Sequence, residues 1–153
     1  MEIRLSLNNR LCGFAGFACL ALFNVGAIAD DHAYTEGPVV SVSSIRTADG
    51  KFDDYMKFVD TNWKQQQEAG KKAGDILSYQ VLNVIPRGPD DPDVLLLVTY
   101  KNWAAGLDGA LTKNDAIAKA VDGSVVATNQ GVANRASIRR LLGTTWMQVL
   151  NLK

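Results

Sequence analysis

The stretch Val94–Lys101 (VLLLVTYK) constrains the fold of this chain more than any other. Its valine and leucine content and its length predict a β-strand. Successive side chains of a strand point to opposite faces, so Val94 and Leu96 share one face while Leu95 and Leu97 share the other. A strand that is apolar on both faces is buried on both faces. The protein must therefore cover this strand from two sides.

A long amphipathic helix is predicted from Phe52 to Lys72. Its apolar residues recur every three or four positions and form one stripe: Phe52, Tyr55, Met56, Val59 and Trp63. On the other side, three acids each precede a base by four residues, an order worth about 0.2–0.5 kcal/mol per pair: Asp53–Lys57, Asp60–Lys64 and Glu68–Lys72. Gly74 suits the position just after the helix, where the backbone often takes a left-handed conformation that ends the helix. This helix is about 30 Å long and covers one side of a sheet.

The other elements are predicted from shorter patterns. Strands are expected at Val39–Arg46, Ile76–Pro86 and Thr144–Leu152. The segment Arg87–Asp93 is rich in proline, glycine and aspartate and predicts an exposed turn. Helical character is expected between 103 and 142, in three stretches with uncertain boundaries: Trp103–Ala110, Asp115–Val121 and Val132–Leu142.

The N-terminal 29 residues have the layout of a secretory signal peptide. Arg4 and Arg10 precede the apolar run Leu11–Val25, and Ala27-Ile28-Ala29 offers a cleavage site before Asp30. A retained membrane anchor is the alternative, but Asn24 and the many glycines and alanines make the run a poor spanning helix. The Ala-x-Ala site and the acidic residues after it favour removal. We therefore expect a bacterial protein that is periplasmic or secreted and is not membrane-bound after cleavage. The predicted organisation is a signal peptide at 1–29, a flexible lead-in at 30–37 and a single domain at 38–153.

Composition excludes several function classes. Both cysteines, Cys12 and Cys19, leave with the signal peptide, which removes thiol catalysis and thiolate metal sites. The one histidine, His32, lies at the start of the mature chain, so no proximal haem ligand or catalytic triad is expected in the folded body. Sixteen basic residues balance sixteen acidic ones, so no nucleic-acid partner is expected. We predict no cofactor and no metal site.

The predicted order of elements is β-α-β-β-α-β, the ferredoxin-like plan with a four-stranded antiparallel sheet. Together with the two-faced strand and the stretches 63–82 and 93–105, this order resembles the dimeric α+β barrel superfamily, in particular small uncharacterised exported bacterial members. The resemblance implies an α+β fold, a homodimer whose two sheets pack face to face, and a ligand cavity between sheet and helices. Enzymes of the superfamily that use haem or a catalytic histidine differ from this chain, which has no histidine in the body of the fold.

Five aromatic residues are the candidate lining of a ligand pocket. If the long helix packs on the sheet, they are expected to share a cavity that takes a small apolar or aromatic molecule: Tyr55, Trp63, Tyr79, Tyr100 and Trp103. The alternative interpretation is that they fill the core.

Two sets of charged residues are further candidates for a site. Arg135 and Arg139, four apart on a predicted helix, suit a carboxylate, although a solvated helix face is the commoner arrangement. Asp90, Asp91 and Asp93 are typical of a solvated hairpin tip more than of a calcium loop.

The sequence leaves three functions open, and no catalytic residue can be assigned from it. The first is an exported homodimer that binds a small molecule or has a structural role. The second is a cofactor-independent enzyme, of the monooxygenase or isomerase type, acting on a small organic substrate. The third is an accessory protein that docks onto an envelope partner.

Overall fold

The computed structural model describes residues 32–108 and 110–153, so the predicted signal peptide lies outside the described residues. The elements follow one another as β1 (Tyr34–Thr47), α1 (Phe52–Phe58), a π-helical segment (Val59–Trp63), α2 (Lys64–Ala73), β2 (Ile76–Asn83), β3 (Val94–Tyr100), α3 (Trp103–Leu107), α4 (Ala110–Val121), α5 (Val125–Arg135) and β4 (Arg139–Leu152). Within the described ranges, no helix is long and apolar enough to cross a bilayer.

The four strands form one antiparallel sheet in the order β2-β3-β1-β4. With helices between β1 and β2 and between β3 and β4, this is the ferredoxin-like α+β arrangement. The structure thus confirms the predicted fold class, a ferredoxin-like α+β fold with a four-stranded antiparallel sheet.

The core lies between the sheet and the helices. Val39 and Val94 are fully buried and Leu96 is 6% exposed, all on the sheet face that α1 and the π segment cover. Tyr55 and Val59 reach this layer from the helix side and are almost wholly buried. Four residues of the predicted apolar stripe therefore pack in or against the core, whereas Phe52 at the start of the helix is 37% exposed.

On the opposite face of the sheet, none of the described elements is a covering helix. Its centre is formed by half-buried side chains of β1 and β3: Val40, Val42, Leu95 and Leu97. Around them lie Leu82, Met147 and Val149, which are 42%, 46% and 41% exposed. We call these seven residues the open apolar face.

Several element boundaries differ from the predictions. β1 begins at Tyr34 rather than Val39, because Tyr34–Glu36 of the expected lead-in pairs with Leu150–Leu152 of β4. The helix expected at Val132–Leu142 lies earlier, at Val125–Arg135, and β4 starts at Arg139 where it pairs with Thr47. The long helix also contains the π segment Val59–Trp63, which the apolar spacing did not predict.

The turn between β2 and β3 uses its aspartates as internal hydrogen-bond acceptors. The Asp93 carboxylate accepts from the backbone N–H of Thr47 at 3.0 Å and from its hydroxyl. Asp91 accepts from the backbone N–H groups of Arg87 and Gly88, both at 2.9 Å. Asp90 pairs with Arg140 at 2.7 Å. The three carboxylates thus have separate partners rather than a common one.

Candidate functional site

A cavity of about 350 Å³ lies between the helices and the sheet, at the end where β3 leads into α3. α2 forms one wall, α3 and α4 form the others, and Tyr100 of β3 lies at the sheet. This volume is at the lower end of the range for small-molecule sites.

Two glycines permit the close packing around this cavity. A Cβ on Gly70 would lie 2.5 Å from Cδ1 of Ile76, so only glycine lets α2 approach β2 this closely. A Cβ on Gly106 would lie 2.9 Å from the Trp146 ring, which lets α3 rest on the aromatic surface of the sheet. Both glycines line the cavity.

The helix side of the cavity is polar. Gln66 and Gln67 of α2 line it, and Gln67 is only 9% exposed, with its side-chain amide donating to the Trp63 carbonyl at 3.2 Å. Asp75 and Lys113 also line the cavity and form a salt bridge of 3.2 Å. Lys113 and Asp75 are partly exposed, so solvent weakens this pair.

Most of the remaining lining is apolar and aromatic, with Asn114 and Thr128 as two further polar residues. Ile76, Ile117 and Ala118 contribute aliphatic surface, and the ring of Tyr100 closes the sheet side. Tyr100 stacks on Trp146 with ring centroids 5.3 Å apart. The cavity thus combines an apolar floor with hydrogen-bonding groups on one side, which is the arrangement that orients a small ligand.

Burial raises the pKa of the Tyr100 phenol, and the nearby Ser41 hydroxyl opposes this effect. Burial likewise raises the pKa of Tyr55, against the influence of Arg139 and Arg135. Both phenols therefore stay protonated at neutral pH. A protonated phenol donates a hydrogen bond and does not act as a base.

These shifts predict a loss of stability in alkali. A tyrosine whose folded-state pKa is raised above the usual value of about 10 stabilises the fold fully below that pH, and the stabilisation is lost as the pH rises above it. We expect the melting temperature to fall above about pH 10. In the double variant Tyr55→Phe, Tyr100→Phe this fall becomes shallower, as followed by circular dichroism. An equal slope in both proteins would contradict the prediction.

The structure places the five predicted aromatic residues in three locations. Tyr100 lines the cavity, and Trp103 lies beside it, where its indole N–H donates to Gln148 at 3.2 Å and its ring contacts Trp146. Trp63 and Tyr79 form an edge-to-face pair with centroids 5.4 Å apart. Tyr55 belongs to the core, where it contacts Phe58.

Sequence reasoning did not select the polar lining of the cavity. Gln66, Gln67 and Lys113 belong to helices whose exposed faces are also polar, so no local pattern marks them. Gly70 and Gly106 gave a weak signal, because a glycine inside a helix suggests a close backbone approach. Among the described residues, no group of three or more histidine, aspartate or glutamate side chains is placed to hold a metal ion.

Comparisons with known proteins concern the fold. No protein-family model matches the sequence, and no curated protein matches it. Solved structures similar to this chain include HapK from Hahella chejuensis, at 11% identity over 71% of this chain and 90% of that chain, with a TM-score of 0.44. A dimeric ferredoxin-like protein from an uncultured marine organism is similar at 16% identity over 73% and 95%, with a TM-score of 0.41. PA3566 from Pseudomonas aeruginosa is similar at 10% identity over 76% and 96%, with a TM-score of 0.39. None of these likenesses carries an activity over to this chain.

Proposed function

We propose that this protein is an exported homodimer that binds a small, largely apolar or aromatic molecule in the cavity between its helices and its sheet. The observation that carries the binding role is the cavity itself, which joins the Tyr100 ring and aliphatic side chains to the amides of α2. The export and the periplasmic or secreted location rest on the layout of residues 1–29.

Binding agrees with the chemistry of the cavity better than catalysis does. Its tyrosine stays protonated, and its one close acid–base pair, Asp75 and Lys113, is already formed as a salt bridge. A protonated phenol, side-chain amides and an aliphatic floor are suited to orient a ring that carries a hydrogen-bonding group. We therefore place the ligand with its ring near Tyr100 and its polar group toward Gln67.

The homodimer follows from the open apolar face. The face spans four strands spaced by about 4.8 Å and about seven residues along β3, or about 19 Å by 23 Å. Its seven defining residues carry no charge, so two copies can meet without burying an unpaired ion. A two-fold axis matches one patch with the same patch on the partner, and an uncharged patch suits such self-matching. A second copy of this chain is therefore the occupant we propose.

Ligand binding is tested with the neutral fluorescent probe N-phenyl-1-naphthylamine. We expect its emission to rise on adding the protein, because an apolar cavity excludes water from the ring. In the Ala105→Leu variant the larger side chain enters the cavity. Overfilling a packed site costs about 1–3 kcal/mol, so we expect the affinity for the probe to fall by at least about tenfold.

Ala104→Leu is the matched control for this experiment. Ala104 is the exposed neighbour of Ala105 on the same helix and does not line the cavity. The Ala104→Leu variant should bind the probe with the same affinity as the wild type. Equal affinity in wild type and Ala105→Leu would place the probe elsewhere and remove support for this cavity as the binding site.

Native mass spectrometry of residues 30–153 from an exporting host then reports the oligomeric state and any retained ligand.

A further inference from the structure

Two arginines meet where α5 ends and β4 begins. Arg135 is the last residue of α5 and Arg139 is the first residue of β4. A tight turn joins them, in which the backbone N–H of Ile138 donates to the Arg135 carbonyl at 3.0 Å. The chain therefore turns back on itself between the two side chains.

Neither arginine has an acidic partner among the residues that the structure describes. Within residues 32–108 and 110–153, no salt bridge reaches either guanidinium, and the Nε atoms of both are buried without a hydrogen-bond partner. Arg140 next to them behaves differently, because its guanidinium pairs with Asp90 at 2.7 Å. Buried nitrogen donors are normally satisfied, so the two unpartnered groups need an explanation.

The nearest acids are occupied elsewhere. Asp122 accepts from the Asn62 amide at 3.1 Å and from the Thr128 hydroxyl at 2.6 Å. Asp93 accepts from the backbone N–H and the hydroxyl of Thr47. Both acids influence the electrostatics of this region without pairing with either arginine. Tyr55, the other titratable group here, stays neutral because burial raises its pKa.

The two guanidinium groups carry like charges and therefore repel one another. Burial, and after it the charge of Arg139, lowers the pKa of Arg135. The end of a helix offers about half a negative charge, which offsets only part of two positive ones. The guanidinium carbon of Arg135 lies 4.2 Å from the centroid of the Phe58 ring, a cation–π contact. An open cavity of about 350 Å³ adjoins it, and its lining includes Phe58, Asn62, Thr128 and the Asp122 side chain that these last two residues hydrogen-bond.

We propose that Arg135 and Arg139 form a binding site for a small oxyanion, a carboxylate or a phosphate group. Guanidinium groups present fixed pairs of donors that match such oxygens, and two of them supply the charge that the chain leaves uncompensated. Phe58 holds the first of these groups in place, and the adjoining cavity admits the remainder of the molecule. This site goes beyond the function proposed above, because it takes a charged ligand at a different place.

Thermal unfolding in sodium phosphate tests the site, with sodium chloride keeping the ionic strength constant. We expect a saturable rise in melting temperature of about 4–6 °C at ten times the dissociation constant. The double variant Arg135→Met, Arg139→Met should lose this rise while retaining the apolar stems that contact Phe58. Arg140→Met is the matched control, since Arg140 already has an acidic partner, and it should keep the rise.

Sodium benzoate in place of phosphate distinguishes the two sources of the oxyanion. A saturable response to either salt that depends on Arg135 and Arg139 supports the site and assigns its class. An equal rise in the double variant would be the general stabilising effect of an excluded salt and would overturn the proposal.

Isothermal titration calorimetry of each salt into the wild-type protein gives a second answer that needs no variant. One saturable site per chain supports the proposal, and the absence of saturable heat up to tens of millimolar overturns it. The neutral probe of the helix–sheet cavity is independent of this result, so either proposal can fail alone.

Discussion

Leu97→Asp is expected to convert the proposed dimer into a folded monomer. Leu97 lies at the centre of the open apolar face, where a second copy would cover it. Each protomer would then bury one unpaired carboxylate at a cost of at least about 2 kcal/mol, which is about 4 kcal/mol per dimer. The dissociation constant should rise by about three orders of magnitude. Size-exclusion chromatography with light scattering measures this change.

Leu107→Asp is the control for that experiment. It makes the same substitution at a leucine of α3 that is 47% exposed, away from the open apolar face. This variant should remain dimeric. A Leu97→Asp protein that stays a stable dimer would show that the two sheets do not meet through this face.

Leu96→Asp is expected to prevent folding altogether. Leu96 is the neighbour of Leu97 but points to the helix side, where it is 6% exposed and packs in the core with Tyr55 and Val94. Replacing a core leucine with alanine alone costs about 2–5 kcal/mol, and a buried charge adds several more. The sum reaches the whole stability of a typical domain, about 5–15 kcal/mol. Circular dichroism should show an unfolded or aggregated protein.

Leu96→Met separates charge from packing at the same position. A swap that conserves volume costs less than about 1.5 kcal/mol, so this variant should fold and melt cooperatively a few degrees lower. If Leu96→Asp folded as well, the helices would not cover this face of the sheet as the structure describes. The variants Leu96→Asp and Leu97→Asp would then no longer distinguish a buried face of the sheet from an open one.

The sheet and the long helix were predictable because their signals are repeated over many residues. Leucine and valine on both faces of β3 required two covering layers, and the stripe that includes Tyr55 and Val59 identified the helix that supplies one of them. The π segment was missed because its extra residue leaves the apolar spacing within the usual range of a helix. Boundaries near Leu141 were missed because paired leucines suit either a helix or a strand. Pairing of Leu141 with Ile45 of β1 decides for the strand.

The candidate sites were harder to predict than the fold because they depend on distant elements meeting. The cavity needs Gln67 of α2, Tyr100 of β3 and Lys113 of α4 together, and no spacing in the chain reports that meeting. Arg135 and Arg139 were noticed because they are four residues apart. Their relation comes from the turn after α5 and not from a shared helix face. Their spacing in the sequence marked the two arginines as candidates, but only the tertiary structure shows which side chains surround them.

The pairing of Tyr34 with Leu152 has a mechanical consequence. The two ends of the described domain lie side by side, and the backbone N–H of Lys153 donates to the carbonyl of Ala33 at 3.0 Å. β1 and β4 are antiparallel, so opposite forces applied to these ends load their hydrogen bonds one after another, as in a zipper, and not all at once in shear. The domain therefore resists tension between its own termini only weakly.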